Sequence, residues 1–292
     1  MLNFIFCVHN HQPVGNFEDV IADAATRSYE PFLKELLNHP EVKLSYHVTG
    51  FLLDYLVENN PSYIAMLKTM VERGQIEMLG GGYYEPILSV IPEADRFAQI
   101  EKMSLRLEEL FGHRPRGMWL AERVWDPTLP TTINKAGIEY VVVDDYHFIK
   151  SGLSTEDLYG YYTTEDLGKA VKVFAGSERL RYLIPFEEVG RLDEYLRSAD
   201  LSGDSRYADK ERAITFADDG EKFGVWPGTD KWVFEEGWLR SFLEKITDLK
   251  GVVKSVTFSE HMDSAKSLGR VYLPATSYME MGEWSLPAEA SN

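Results

Sequence analysis

The stretch Gly117-Met118-Trp119-Leu120-Ala121-Glu122-Arg123-Val124-Trp125-Asp126-Pro127 decides how this chain folds. Its first four residues are small or apolar, the pattern of a strand buried on both faces. Glu122 follows directly at the strand end, and Pro127 forbids further ladder pairing. In barrels of parallel strands, residues at the C-terminal strand ends carry the chemistry. Trp119 and Trp125 flank the acid, and indole faces suit the apolar faces of sugar rings. The competing reading is structural, an ion pair of Glu122 with Arg123 on a loop.

The same plan repeats outward in both directions. Residues 2–8 form an apolar run that ends in His9-Asn10-His11-Gln12-Pro13. Residues 42–48 end at His47 and Thr49, and residues 75–79 run into Gly80-Gly81-Gly82-Tyr83-Tyr84-Glu85-Pro86. Residues 140–143 lead to Asp144-Asp145, and residues 212–217 lead to Asp218-Asp219-Gly220-Glu221-Lys222-Phe223-Gly224-Val225-Trp226. Residues 253–258 are the last clear strand; 171–174 and 180–184 read as a strand pair, and 151–168 as a connecting excursion. Between them, helical spacing covers 29–38, 51–57, 62–72, 92–111, 129–136, 186–197 and a long run over 231–249. Strands alternating with helices imply a parallel sheet with right-handed crossovers. About seven such units at this length point to a closed or nearly closed barrel. No G-x-G-x-x-G follows the first strand, which weakens a dinucleotide-binding reading.

Composition narrows the partners. The chain has 292 residues of which 44% are hydrophobic, enough for a sizeable core. A net charge of −17 disfavours nucleic acid and anionic membrane. A neutral ligand tolerates that field, and 13% aromatic residues favour an aromatic-lined cleft. The single cysteine, Cys7, rules out an internal disulfide framework and reads as a buried small hydrophobe. No signal peptide is read at the N-terminus and no apolar run reaches about 18 residues, so a soluble cytoplasmic protein is expected.

Barrel closure would gather the strand-end residues His9, His11, Gln12, Tyr84, Glu85, Trp119, Glu122, Asp145, Asp219 and Trp226 at one mouth. Such a set supports glycoside cleavage by two carboxylates, one ionised and one holding a proton. Arg123 beside Glu122 would favour ionisation, whereas Asp218 beside Asp219 would raise one acid of that pair. Four motifs in order make the chain resemble glycoside hydrolase family 57, in its 4-α-glucanotransferase and α-amylase branch. They are His11-Gln12-Pro13, Gly80 to Pro86, Trp119-Leu120-Ala121-Glu122-Arg123-Val124-Trp125, and Asp218-Asp219-Gly220-Glu221-Lys222-Phe223-Gly224. The resemblance spans essentially the whole chain. It implies an incomplete (β/α)7 barrel, TIM-barrel-like, and a retaining mechanism; no cofactor or metal is expected. It also implies Glu122 as nucleophile, Asp219 as acid/base, His11 at the donor sugar, and an α-glucan or maltooligosaccharide as substrate.

Two alternatives stand beside it. His9 and His11 form H-x-H, and residues two apart on a strand share a side, so both could ligate a metal in a deacetylase-like barrel. A non-catalytic α-glucan-binding barrel is the other. Glu221 and Lys222 read as a solvated pair, and Gly80-Gly81-Gly82 as tight backbone passage beneath the site. Relatives of this branch continue past the residues matching Met281 to Trp284 with a helical region. Residues 1–292 are therefore expected to be a single truncated barrel domain whose open cleft favours hydrolysis over transfer.

Overall fold

The computed structural model describes residues 1–200 and 211–287. Its strands are β1 (Leu2–Asn10), β2 (Leu44–Val48), β3 (Ile76–Met78), β4 (Gly117–Trp119), β5 (Tyr140–Asp144), β6 (Tyr161–Asp166), β7 (Lys169–Gly176), β8 (Arg212–Asp219) and β9 (Val253–Val256). They join in the order β3-β2-β1-β8-β7-β5-β4, all parallel, with β9 also beside β1 and β6 antiparallel to β7. The ring closes between Gly80 and Met118: Gly80 N–H donates to Gly117 O at 2.8 Å and Trp119 N–H to Gly80 O at 2.9 Å. A second thin joint lies between β7 and β8, where Gly176 stands beside Thr215 and Ser177 N–H donates to Thr215 O at 2.8 Å. The parallel α/β barrel expected from the sequence is the fold.

Alternation sorts the side chains. On β1, Phe4, Phe6 and Val8 face outward into a core shared with the helices, while Ile5 and Cys7 face the barrel interior. The interior is filled by Ile5, Cys7, Trp119, Tyr140, Val142, Phe174, Ala213 and Ala217. Two separate outer cores result: one packs helices on β1, β2, β3 and β8, the other on β4, β5 and β7. Gly117 is required by close approach, since a Cβ there would lie 2.0 Å from the Tyr140 ring.

Three expected elements differ. Residues 180–183 of the expected strand at 180–184 belong to a helix, Glu178–Leu183, started by Ser177, whose hydroxyl accepts from Leu180 N–H at 3.3 Å. The excursion at 151–168 contains β6. The run 231–249 is a π turn, Lys231–Glu235, and a helix, Trp238–Asp248, separated by Gly237 at φ 78°. Among the described residues, no helix is long and apolar enough to cross a membrane.

Candidate active site

The strand ends open into a cleft of about 520 Å³ lined by His9, His11, Glu85, Trp119, Glu122, Asp219 and Trp226. Period-two alternation explains much of this. His9 follows Ile5 and Cys7 on the inward stripe of β1, and Asp219 follows Ala213 and Ala217 on that of β8. The two stripes are in register, with His9 beside Asp219.

Glu122 leaves β4 on a 3₁₀ turn, Ala121–Arg123, with φ 51° and ψ 16°. Four described non-glycine residues have positive φ, and three of them, Glu85, Glu122 and Arg123, lie at this cleft. Such backbone costs about 1–3 kcal/mol per residue and persists only where surroundings impose it. The surroundings come from a segment after the last strand. Thr276 pairs with Trp125 through N–H···O bonds of 2.8 and 3.2 Å, the Ser277 hydroxyl donates to Glu122 O, and Tyr278 OH donates to Glu122 Oε2 at 2.6 Å.

Arg123 turns away from its neighbour. Its guanidinium lies 3.8 Å from Asp144 and 4.0 Å from Asp218. Arg181 bonds Asp144 at 2.8 Å and Asp218 at 3.2 Å, and Lys222 bonds Asp218 as well. Burial pushes Asp218 up, but Lys222, Arg123 and Arg181 together hold it below the usual carboxylate range. Asp219 has the opposite fate. Burial raises it, and the fixed charge of Asp218 raises it further, against the pull of His9. Two adjacent acids are thus driven apart, one held ionised and the other towards its protonated form.

Glu85 is bracketed by two imidazoles, His9 Nε2 at 2.9 Å and His11 Nε2 at 3.2 Å. His9 stacks on Trp119, centroids 4.4 Å apart. Its other nitrogen, Nδ1, lies 2.7 Å from His47 Nδ1. Burial lowers His9, but Glu85, with Asp219 and Glu221, more than offsets that and its net shift is upward. Burial and then the charge of His9 press His47 well below its usual value. Gly81 passes so close to His47 that a Cβ would lie 2.6 Å from Nε2. The cluster whose ligand atoms lie within 4.8 Å is therefore His9, His47 and Glu85, not His9 and His11. Its imidazole nitrogens stand at hydrogen-bond distance, whereas two nitrogens on a tetrahedral zinc would lie roughly 3.3 Å apart.

Five expectations need correction. Asp145 follows the inward Asp144, so alternation turns it out of the cleft; it accepts from Glu178 N–H at 2.9 Å in a separate pocket with Tyr159 and Tyr195. Gln12 is buried behind the cleft, donating to Tyr29 OH at 2.8 Å. Tyr84 lies on the outer surface, its ring against Tyr83 and its hydroxyl accepting from Lys102 at 2.6 Å. Trp125 is fully buried and offers no sugar platform. The supposed solvated pair is interior: Lys222 serves Asp218, and Glu221 accepts from Tyr29 OH and from His11 N–H at 2.9 Å. Burial, opposed by Tyr29 and aided by Asp219, pushes Glu221 up to about 7. Arg181, Tyr278 and Phe186 also line the cleft, and neither motif nor spacing announced them. Phe186 stands 5.7 Å from Trp226, both rings partly exposed on the rim.

A parallel α/β barrel whose mouth combines aromatic platforms with acids of divergent proton affinity defines a carbohydrate-type site. The chain belongs to glycosyl hydrolase family 57, whose sequence model matches residues 5–274. It is 49% identical over 288 residues to a 4-α-glucanotransferase of Thermococcus litoralis, covering 99% of this chain and 42% of that protein. It is 48% identical to an α-amylase of Pyrococcus horikoshii, covering 98% and 44% respectively. The crystal structure of the Thermococcus litoralis 4-α-glucanotransferase superposes with a TM-score of 0.95 at 48% identity, over 99% of this chain and 44% of that chain. The chain thus spans less than half the length of these relatives.

Proposed function

We propose that this barrel cleaves α-1,4-glucosidic bonds by a retaining mechanism, with Glu122 as nucleophile and Asp219 as acid/base. The observation that carries the reading is the divergence of Asp218 and Asp219 in a cleft that also holds Glu122. A glycosidase acid must bring a proton, and the surroundings of Asp219 shift it towards its protonated form. In the first step, a Glu122 oxygen bonds to the anomeric carbon as the glucosidic C–O bond breaks. Asp219 gives its proton to the departing oxygen. In the second, Asp219 takes a proton from water or a sugar hydroxyl, whose oxygen bonds to the anomeric carbon as Glu122 leaves. Water gives hydrolysis and a sugar gives transfer, and no metal or cofactor enters either step. Trp119, Trp226 and the imidazoles of His9 and His11 supply stacking faces and polar contacts for the sugar. The substrate is a neutral maltooligosaccharide or longer α-glucan, in keeping with a strongly acidic chain and a cytoplasmic setting.

Azide separates the roles. Glu122→Ala should lose nearly all turnover of α-maltosyl fluoride and regain it with azide, giving a glycosyl azide of inverted configuration. Asp219→Ala should be rescued with retention. Exchanged stereochemistry would exchange the residues, and full activity in either variant would end the proposal.

A further inference from the structure

We infer that Tyr278 is a positioning residue for Glu122, aiming one carboxylate oxygen at the sugar by occupying the other. The inference rests on the reading of Glu122 as nucleophile.

Strand β4 ends at Trp119, three residues before Glu122, so the strand itself does not fix the acid. Glu122 also sits in left-handed backbone, which ordinary residues leave unless held. Among the described residues, two hydrogen bonds from the 277–278 segment restrain it: the Ser277 hydroxyl on its carbonyl and the Tyr278 phenol on Oε2. The phenol is itself fixed. Tyr278 is 7% exposed, with the Arg123 guanidinium 4.5 Å from its ring centroid and that of Arg181 5.4 Å away. The same two cations hold Asp144 and Asp218. One cationic layer therefore sets both the tyrosine that orients Glu122 and the aspartate that raises Asp219.

Occupying Oε2 leaves Oε1 to form the bond to the anomeric carbon. In the resulting ester Oε2 is the carbonyl oxygen and still accepts from the phenol. When the C–Oε1 bond breaks, negative charge returns to the carboxylate with a donor already in place. Tyr278 thus acts on rate more than on substrate affinity.

Tyr278→Phe keeps the ring between the arginines and removes only the donor. Using the 292-residue chain, kcat on α-maltosyl fluoride should fall about 10- to 100-fold with KM within about threefold. Covalent trapping by 5-fluoro-α-maltosyl fluoride, read by mass spectrometry on the Glu122 peptide, should slow in the same proportion per folded molecule. A trapping rate within twofold of the unaltered chain would overturn the inference while leaving Glu122 as nucleophile. Absence of label on Glu122 in the unaltered chain would overturn both readings. Should Tyr278→Phe not fold, 3-fluorotyrosine placed at 278 keeps ring and hydroxyl while strengthening the donor. It should change the trapping rate at least twofold, and an unchanged rate would equally overturn the inference.

Discussion

Asp145→Asn separates stability from catalysis at this barrel mouth. Burial, and then the charge of Asp144, push Asp145 from its ordinary 3.8 up to about 7. Its folded state therefore holds a proton that the unfolded chain releases near 3.8, and stability falls as pH rises between those limits. At 1.36 kcal/mol per tenfold change in proton affinity, the whole effect is on the order of 4 kcal/mol. About 1.6 kcal/mol of it is already lost at pH 5, and about 2–3 kcal/mol goes between pH 5 and pH 8. Asparagine cannot ionise and can still accept from Glu178 N–H. Urea unfolding should therefore show the variant more stable at pH 8 by a few kcal/mol, with less advantage at pH 5. Because Asp145 faces a separate pocket, turnover per folded molecule should stay within about twofold. Parallel stability curves for variant and unaltered chain would refute the electrostatic account. A large loss of turnover would refute its placement outside the catalytic cleft.

Lys222→Met strips Asp218 of one buried partner, and denaturant melting should record a loss of about 3 kcal/mol. An unchanged midpoint would mean that Arg123 and Arg181 suffice. Asp218→Asn removes a charge that raises Asp219, so the alkaline limb of the kcat/KM profile should move to lower pH; a limb that stays in place would separate the two acids. Trp226→Ala uncovers roughly 60 Å² of ring face, which at about 25 cal/mol/Å² weakens maltooligosaccharide binding about tenfold by calorimetry. Activity should survive dialysis against a strong chelator, and loss that zinc reverses would favour ligation through His9, His47 and Glu85.

Much of the architecture could be read before the structure was seen, because parallel strands buried on both faces appear as unbroken apolar runs. Leu2–Asn10, Tyr140–Asp144 and Arg212–Asp219 are examples, and their polar tails mark the mouth. The readings that failed did so where two local patterns coincide. Leu180, Arg181, Tyr182 and Leu183 mimic strand alternation, while the helix start at Ser177 is the overlooked signal. Strand β6 lies outside the ring of seven, and its polar residues, Thr163 to Asp166, hide it among loops. At the site, Glu122 and Asp219 were legible as acids at strand ends. Asp145 was misplaced because adjacency in sequence means opposite faces on a strand. Tyr278 and Arg181 carry no local mark, since their partners lie 156 and 37 residues away.

The thin joints of the barrel have a mechanical meaning. They divide the wall into two arcs: β3, β2, β1 and β8 with one outer core, and β4, β5 and β7 with the other. Glu122 rides at the end of the second arc and Asp219 at the end of the first. The gap between them is therefore a gap between two half-shells, not a dimension of one strand pair. Arg123, from the second arc, grips Asp218 of the first, and Arg181, from the link between the arcs, grips an acid on each. These side chains act as bolts across the split. A change that lets one half-shell slip against the other would retune the spacing of both acids without touching either.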